Sequence, residues 1–167
     1  VNPFTSILGL SKSILNLSKS DWERLQTMVK MIYSEAFNLD FQLKNIFMAA
    51  EIEAGKVHVN NLKIDVNDII NSVIDSFTEN ARKKEVVIRY NSRITEDNSS
   101  PFNFVTDPQK LQLILSNLLD NAIKFSSAAS EISVTAELTH ENQLKIAVQD
   151  YGRGISEDNK VVIFDRF

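Results

Sequence analysis

The sequence predicts two parts of different class. The first is an α-helical hairpin that associates as a dimeric four-helix bundle. The second is an α+β sandwich with helices on one face of a mixed sheet. Three observations carry this. A long apolar seam in steps of four and three runs up to Gly55. The two helical segments before that glycine differ too much in length for one to cover the other. After it, short β-rich runs alternate with amphipathic helical ones.

The elements follow in order. Residues 1–18 read as a helix with apolar Phe4, Ile7, Leu8, Leu10, Ile14, Leu15 and Leu17, and Pro3 suits its first turn, where the missing N–H is harmless. Ser20-Asp-Trp-Glu23 has the form of a capping box opening a second helix. Leu25, Val29, Ile32, Ala36, Leu39, Leu43, Ile46 and Ala50 form its heptad seam, and Gly55 stops it. At ~1.5 Å per residue the second helix spans roughly 50 Å and the first about 27 Å. Half of the seam is left for a partner, which implies a homodimer through residues 1–55 and a first helix that began upstream of Val1.

Past Gly55, Lys56–Val59 and Leu62–Ile64 are short strand candidates. Asn67 can cap a helix running through Ile69, Ile70, Val73, Ile74, Phe77 and Ala81 to about Lys84. Val86–Tyr90 is β-rich, 91–100 is a polar loop closed by Pro101, and Asn103–Val105 is a short strand. Asp107-Pro108 opens the next helix, with Asp as cap and Pro in the first turn. Glu131–Leu138 and Gln143–Gln149 alternate as an antiparallel pair joined at Thr139–Asn142. Ser156-Glu-Asp-Asn159 can cap a last helical turn toward Val161, Val162, Ile163 and Phe164.

Composition narrows the function classes. A net charge of −4 and a pI near 5.2 provide no basic field for nucleic acid or an anionic membrane. No apolar run approaches a membrane span. The absence of Cys excludes disulfides, thiolate metal sites and Cys nucleophiles, and fits a reducing compartment. The two histidines, His58 and His140, lack metal-ligand spacing and read as surface or strand-edge residues.

Two stretches carry chemistry. In Asn117-Leu-Leu-Asp-Asn121-Ala-Ile-Lys124-Phe-Ser, helical geometry puts Asn117, Asn121 and Lys124 within about 60° of one another. Two amides and an ammonium so grouped suit a metal ion and phosphate oxygens, although paired helical asparagines also just bond locally. Asp150-Tyr-Gly152-Arg-Gly154-Ile ends a strand with two glycines behind a carboxylate that can accept from an exocyclic amine. It has Glu157 where a dinucleotide loop has its third glycine, and no G-x-x-x-x-G-K-[ST] occurs. Alone, this loop is an ordinary strand-to-loop turn. Together, the two stretches point to a nucleotide pocket.

Over essentially its whole length the chain resembles the sensor histidine kinases of two-component signalling, within the wider GHKL ATPases. Asn117–Phe125 is similar to their N box, Asp150–Ile155 to the G1 box and Ile163–Phe167 to the F box. Ala49–Gly55 is similar to the end of their second dimerisation helix. The resemblance implies residues 1–55 as a dimerisation and histidine-phosphotransfer hairpin, and 56–167 as a GHKL-type ATP-binding catalytic domain. It implies ATP and Mg²⁺ as cofactors, with Asn121 on the Mg²⁺, Lys124 on the phosphates, Asp150 on adenine, and Gly152 and Gly154 shaping the pocket edge. Phe164 and Phe167 would anchor a lid, or simply pack. Where hydrolysing relatives carry a Glu as general base, this chain has Asn117, which takes no proton at neutral pH; this points to phosphoryl transfer rather than hydrolysis.

Asn2-Pro3-Phe4 matches the tail of the family's H box, which places the phosphoacceptor His three residues before Val1. Asn2 stands at the candidate phosphatase position. The lid and second glycine box would follow Phe167. The expectation is therefore a core fragment truncated at both ends, inactive alone, from a kinase that phosphorylates its own His and passes the phosphate to a response-regulator receiver domain. The implied location is cytoplasmic, with any membrane attachment in segments outside this chain. The alternative expectation is a non-enzymatic dimeric scaffold with a degenerate nucleotide module.

Overall fold

The computed structural model describes residues 2–18, 20–92, 102–156 and 159–160 of the 167-residue chain. The chain divides into two compact units, Val1–His58 and Val59–Phe167.

The first unit is a pair of helices, α1 (Pro3–Leu15) and α2 (Trp22–Glu53). The Asn2 side chain caps α1 by accepting from the Phe4 N–H at 3.0 Å, which leaves the proline next to it in the first turn. The expected Ser20–Glu23 capping box does not form. Asp21 is the N-cap residue and makes no capping bond. Its carboxylate instead accepts from the Ser18 N–H at 3.2 Å and the Ser18 hydroxyl at 2.8 Å, and the Ser20 hydroxyl lies 2.8 Å from that of Ser18. Short polar side chains in the connection bond one another in preference to the helix end. The Ser18 hydroxyl is also the main reason the Asp21 carboxyl sits below its ordinary pKa.

The other end of α2 is as expected. Gly55 takes φ +63°, its N–H reaches the Ile52 carbonyl, and the Lys56 N–H reaches Glu51. This is the paired pattern of a glycine-terminated helix, and a side chain at Gly55 would strain it.

α1 packs along α2; Ile7, Leu10 and Ile14 of α1 and Leu25, Met28, Ile32 and Leu39 of α2 are half-buried, as is Leu17 just past the end of α1. A 13-residue helix cannot cover one of 32 residues. Val29, Leu43, Ile46 and Phe47 stay exposed, and neither helix buries a single residue.

In the second unit, β1 (Leu62–Asp65) pairs antiparallel with β3 (Asn103–Thr106). β2 (Val87–Ser92) pairs parallel with β4 (Glu131–Leu138), which pairs antiparallel with β5 (Leu144–Gln149). The described strands thus form a two-stranded and a three-stranded mixed sheet rather than one sheet. The expected strand at Lys56–Val59 is absent. Residues 56–61 find no ladder partner, and the Asn60 N–H bonds the Asp107 carboxylate at 2.9 Å instead. The loop expected from Asn91 begins later, because β2 runs on to Ser92. Residues 93–101 lie outside the described residues.

Two helices cover the three-stranded sheet: α3 (Val66–Lys83) and α4 (Pro108–Phe125). The cap of α3 is Asp65, not Asn67. The Asp65 carboxylate accepts from the Asn67 N–H at 2.9 Å and the Phe102 N–H at 3.2 Å, and Asn67 accepts from the Tyr90 hydroxyl. The strand ends at Asp65, so the helix starts two residues earlier than the expected Asn67 cap indicates.

The core is the meeting of three apolar faces. Val66, Ile70, Val73, Phe77 and Ala81 recur at helical spacing on α3; Leu115, Leu119, Ala122 and Ile123 do so on α4. Ile132, Val134 and Ala136 alternate on β4 with half-buried polar neighbours. Each fully buried Val, Leu, Ile or Phe is worth roughly 1.5–3 kcal/mol, so this cluster supplies the stability that the open helical pair lacks. The turn from β4 to β5 closes through the Thr139 N–H to the Gln143 carbonyl, with Asn142 at φ +59°, a conformation Asn tolerates. The Ser156 carbonyl accepts from Asn159 and Lys160; the turn expected toward Val161–Phe164 and the Ile163–Phe167 motif lie outside the described residues. No helix among the described residues is long and apolar enough to cross a membrane.

Candidate functional site

The site is assembled on α4. Asp107 starts the helix: one carboxylate oxygen accepts from the Gln109 and Lys110 N–H groups at 3.0 and 3.1 Å. The other accepts from Asn60 and lies 3.3 Å from the Lys110 ammonium. The Asn60 and Lys110 backbone bonds, with the Lys110 charge, lower this carboxyl from 3.8 to about 2. Pro108 occupies the first turn, and the apolar face of the helix is buried in the core.

The polar face carries the expected residues. Asn117 is half-buried and its amide nitrogen donates back to the Leu113 carbonyl at 2.9 Å. Asn121, one turn on, is exposed. Lys124 is exposed, with its ammonium 3.3 Å from Asp120, and its carbonyl accepts from the Lys84 ammonium at 3.3 Å. The stripe is present, but its lysine is already paired along the helix.

The loop after β5 comes back to the end of this same helix. The Asp150 carboxylate accepts from the Gly152 N–H at 2.9 Å, a local turn that fixes the first glycine. Gly152 then forms an isolated antiparallel bridge with Ser126, the residue that ends α4. The approach is close. A Cβ on Gly152 would lie 2.2 Å from the Phe125 carbonyl oxygen and 2.9 Å from Asp150 Oδ1. Beside it, the Arg153 guanidinium sits 4.9 Å from the centre of the Phe125 ring, within cation–π range. Gly154 has φ +68° in open space.

The structure therefore brings Asp150, Gly152 and Gly154 to the end of the helix that bears Asn117, Asn121 and Lys124. Asn2 is in the other unit, where it serves as the cap of α1. His58 and His140 are exposed. A cavity of about 290 Å³ opens between α3 and α4, lined by Asn80, Lys83, Lys84, Asp120, Ile123 and Lys124; of the predicted residues it touches only Lys124.

Motif reading missed Phe125, Ser126 and Arg153. All three are neighbours of predicted residues, but only the fold shows that 125–126 and 152–153 touch. Ser126 stands out. It is 4% exposed, and its hydroxyl has no hydrogen-bond partner among the described residues.

Among the described residues no group of three or more His, Cys, Asp or Glu could hold a metal. An exposed amide oxygen such as that of Asn121 suits a Mg²⁺ that keeps its waters and is shared with phosphates, which needs no such cage.

Residues 106–167 match the family described as histidine kinase-, DNA gyrase B-, and HSP90-like ATPase. Sensor protein GacS of Pseudomonas syringae is 30% identical over 172 residues, covering 99% of this chain and 18% of the relative. Sensor protein RprX of Bacteroides fragilis is 28% identical over 148 residues, covering 87% and 27%. The chain thus spans about a quarter or less of these relatives. Among solved structures, the Acinetobacter baumannii histidine kinase AdeS aligns with TM-score 0.58 at 16% identity, over 96% of this chain and 76% of that one. Full-length ShkA in complex with AMPPNP aligns with TM-score 0.62 at 20% identity, over 94% and 32%. Histidine kinase ThkA in complex with the response regulator protein TrrA aligns with TM-score 0.59 at 24% identity, over 99% and 46%. At these identities the likeness to solved structures is one of fold. The chain is homologous to the sensor histidine kinases, and its residues 106–167 carry the histidine kinase-, DNA gyrase B-, and HSP90-like ATPase domain of that family.

Proposed function

We propose that this chain is part of a protein-histidine kinase: a dimerising helical hairpin (1–55) followed by an ATP-binding domain (56–167). The observation that carries the reading is the Gly152–Ser126 bridge, which docks the Asp150 loop on the end of the asparagine helix. ATP binds there with its exocyclic amine on Asp150, its edge against Gly152 and Gly154, and its phosphates toward Asn121 and Lys124. The Asn121 amide oxygen would hold a Mg²⁺, which would supply charge neutralisation at the phosphates. Lys124 leaves Asp120 for the phosphates, a change available to an exposed i,i+4 pair worth only about 0.3–0.5 kcal/mol.

Asn117 decides the chemistry. An amide cannot deprotonate water, so the γ-phosphate goes to a histidine of the helical bundle rather than to solvent, and from there to the Asp of a response-regulator receiver domain. Neither His58 nor His140 occupies the acceptor position, and Asn2, four residues after that position, retains the candidate phosphatase role. The complex of ThkA with a response regulator supports that partner, and the AMPPNP complex of ShkA supports the nucleotide.

The test is Mg²⁺-dependent binding of AMPPNP to this chain and to Asn121→Ala. The expected result is weak binding by the parent chain, lost at least tenfold in the variant. Equal affinities sink the Mg²⁺ assignment. No binding by either removes the ATP reading itself and leaves the scaffold alternative.

A further inference from the structure

Lys124 stands between two destinations on α4. At 100° per residue, Asn121 lies about 60° to one side of it and Asp120 about 40° to the other. Asn121 belongs to the stripe assigned to the phosphates. Asp120 borders the cavity between α3 and α4, together with Lys83 and Lys84 of α3. The Lys124 ammonium is held on the Asp120 side, 3.3 Å from the carboxylate. From α3, the Lys84 ammonium reaches the Lys124 carbonyl at 3.3 Å. Exposure says which partner moves. The Lys124 side chain is 64% exposed and that of Asp120 33%, so the long lysine swings while the short aspartate stays. Asp120 is not stranded by that swing, because the cavity carries two further lysines beside it. Lysines in a last helical turn also offset the helix dipole, and an i,i+4 pair of this kind adds a little helix stability. Neither of those roles reaches the nucleotide.

Resting on the ATP reading above, we propose that Asp120 is a positioning residue for Lys124. It parks the ammonium on the α3 side of α4, and Lys83 and Lys84 take over its carboxylate when Lys124 turns to the phosphates. Nucleotide affinity is then set partly by charges on α3 that touch no nucleotide.

The experiment titrates AMPPNP with Mg²⁺ against the chain, Asp120→Asn, Asp120→Glu, a Lys83→Gln/Lys84→Gln double variant and Lys124→Met. The last two are also combined with Asp120→Asn, and thermal unfolding is followed for every protein. Asp120→Asn frees Lys124 and binds about twofold tighter, the worth of an exposed i,i+4 pair. Asp120→Glu keeps a carboxylate within reach and binds as the unaltered chain does. The double lysine variant leaves Lys124 to hold the carboxylate and binds about twofold weaker, and adding Asp120→Asn abolishes that loss. Lys124→Met binds weakly, and Asp120→Asn does not improve it. An equal gain from Asp120→Asn beside Lys124→Met makes Asp120 a general repulsive charge and overturns the proposal. A loss in the double lysine variant that persists beside Asp120→Asn makes the α3 lysines a general attractive field and overturns it too. If Asp120→Asn binds no more tightly than the chain, or binds less tightly with a lowered unfolding midpoint, Asp120 has only a structural role and the ATP reading stands without the proposal. If the chain binds no AMPPNP, both fall.

Discussion

Gly152 and Gly154 look alike in the motif and differ in what they do. At Gly152 a Cβ meets the Phe125 backbone at 2.2 Å. Backbone cannot swing aside, so Gly152→Ala must undock the loop from α4. At Gly154 there is room, and the difficulty is only φ +68°, worth roughly 1–2 kcal/mol for an L-residue. Thermal unfolding of the two alanine variants is expected to show the larger loss for Gly152→Ala, and only that variant should lose AMPPNP binding outright. A milder effect at Gly152 than at Gly154 contradicts the docking geometry.

At the scale of elements, α4 is held by its first residue as much as by its buried face. Asp107 joins three things: the helix N-terminus, Lys110 and the incoming segment at Asn60. Asp65 does the same for α3 and Phe102, so each end of the β1–β3 ribbon is closed by a helix-capping aspartate. Asp107 has a folded pKa of about 2 against an ordinary 3.8. A depressed carboxyl contributes stability that is fully present above the ordinary value and lost as pH falls through the folded one. Urea unfolding should therefore show stability falling between about pH 5 and pH 2. Asp107→Asn, which keeps a capping oxygen but no charge, should be less stable near neutrality and flatter across that window. Parallel profiles for the two proteins would remove Asp107 as the source.

The whole molecule is uneven in a way that points to a second copy. The second unit has a closed core; the helical pair buries no residue at all. Ile46 is 64% exposed and Phe47 66%, on the half of α2 beyond the reach of α1. In the proposed four-helix bundle these faces meet their symmetry mates. Light scattering is expected to give a dimer that dissociates on dilution, and Ile46→Glu a monomer with an unchanged core in the second unit. A monomer at every concentration for the unaltered chain would count against the bundle.

Much of this architecture is local enough to be legible in the chain itself. The cap and proline at 107–108, the glycine stop at 55, the β4–β5 hairpin and the three-residue stripe on α4 all depend on near neighbours, and periodicity and turn chemistry report near neighbours well. The expectations that failed depend on competition. The Ser20 cap lost to Ser18 and Asp21, Asn67 lost its cap to Asp65, and the strand at 56–59 formed no ladder while the neighbouring Asn60 N–H went to Asp107. No pattern in one segment reveals what a distant segment offers it. The same holds for the site. Its residue types follow from the sequence, because chemistry resides in side chains. That Gly152 meets Ser126 and that Arg153 covers Phe125 were decided only when the chain folded, because contacts between distant residues arise from packing rather than from order.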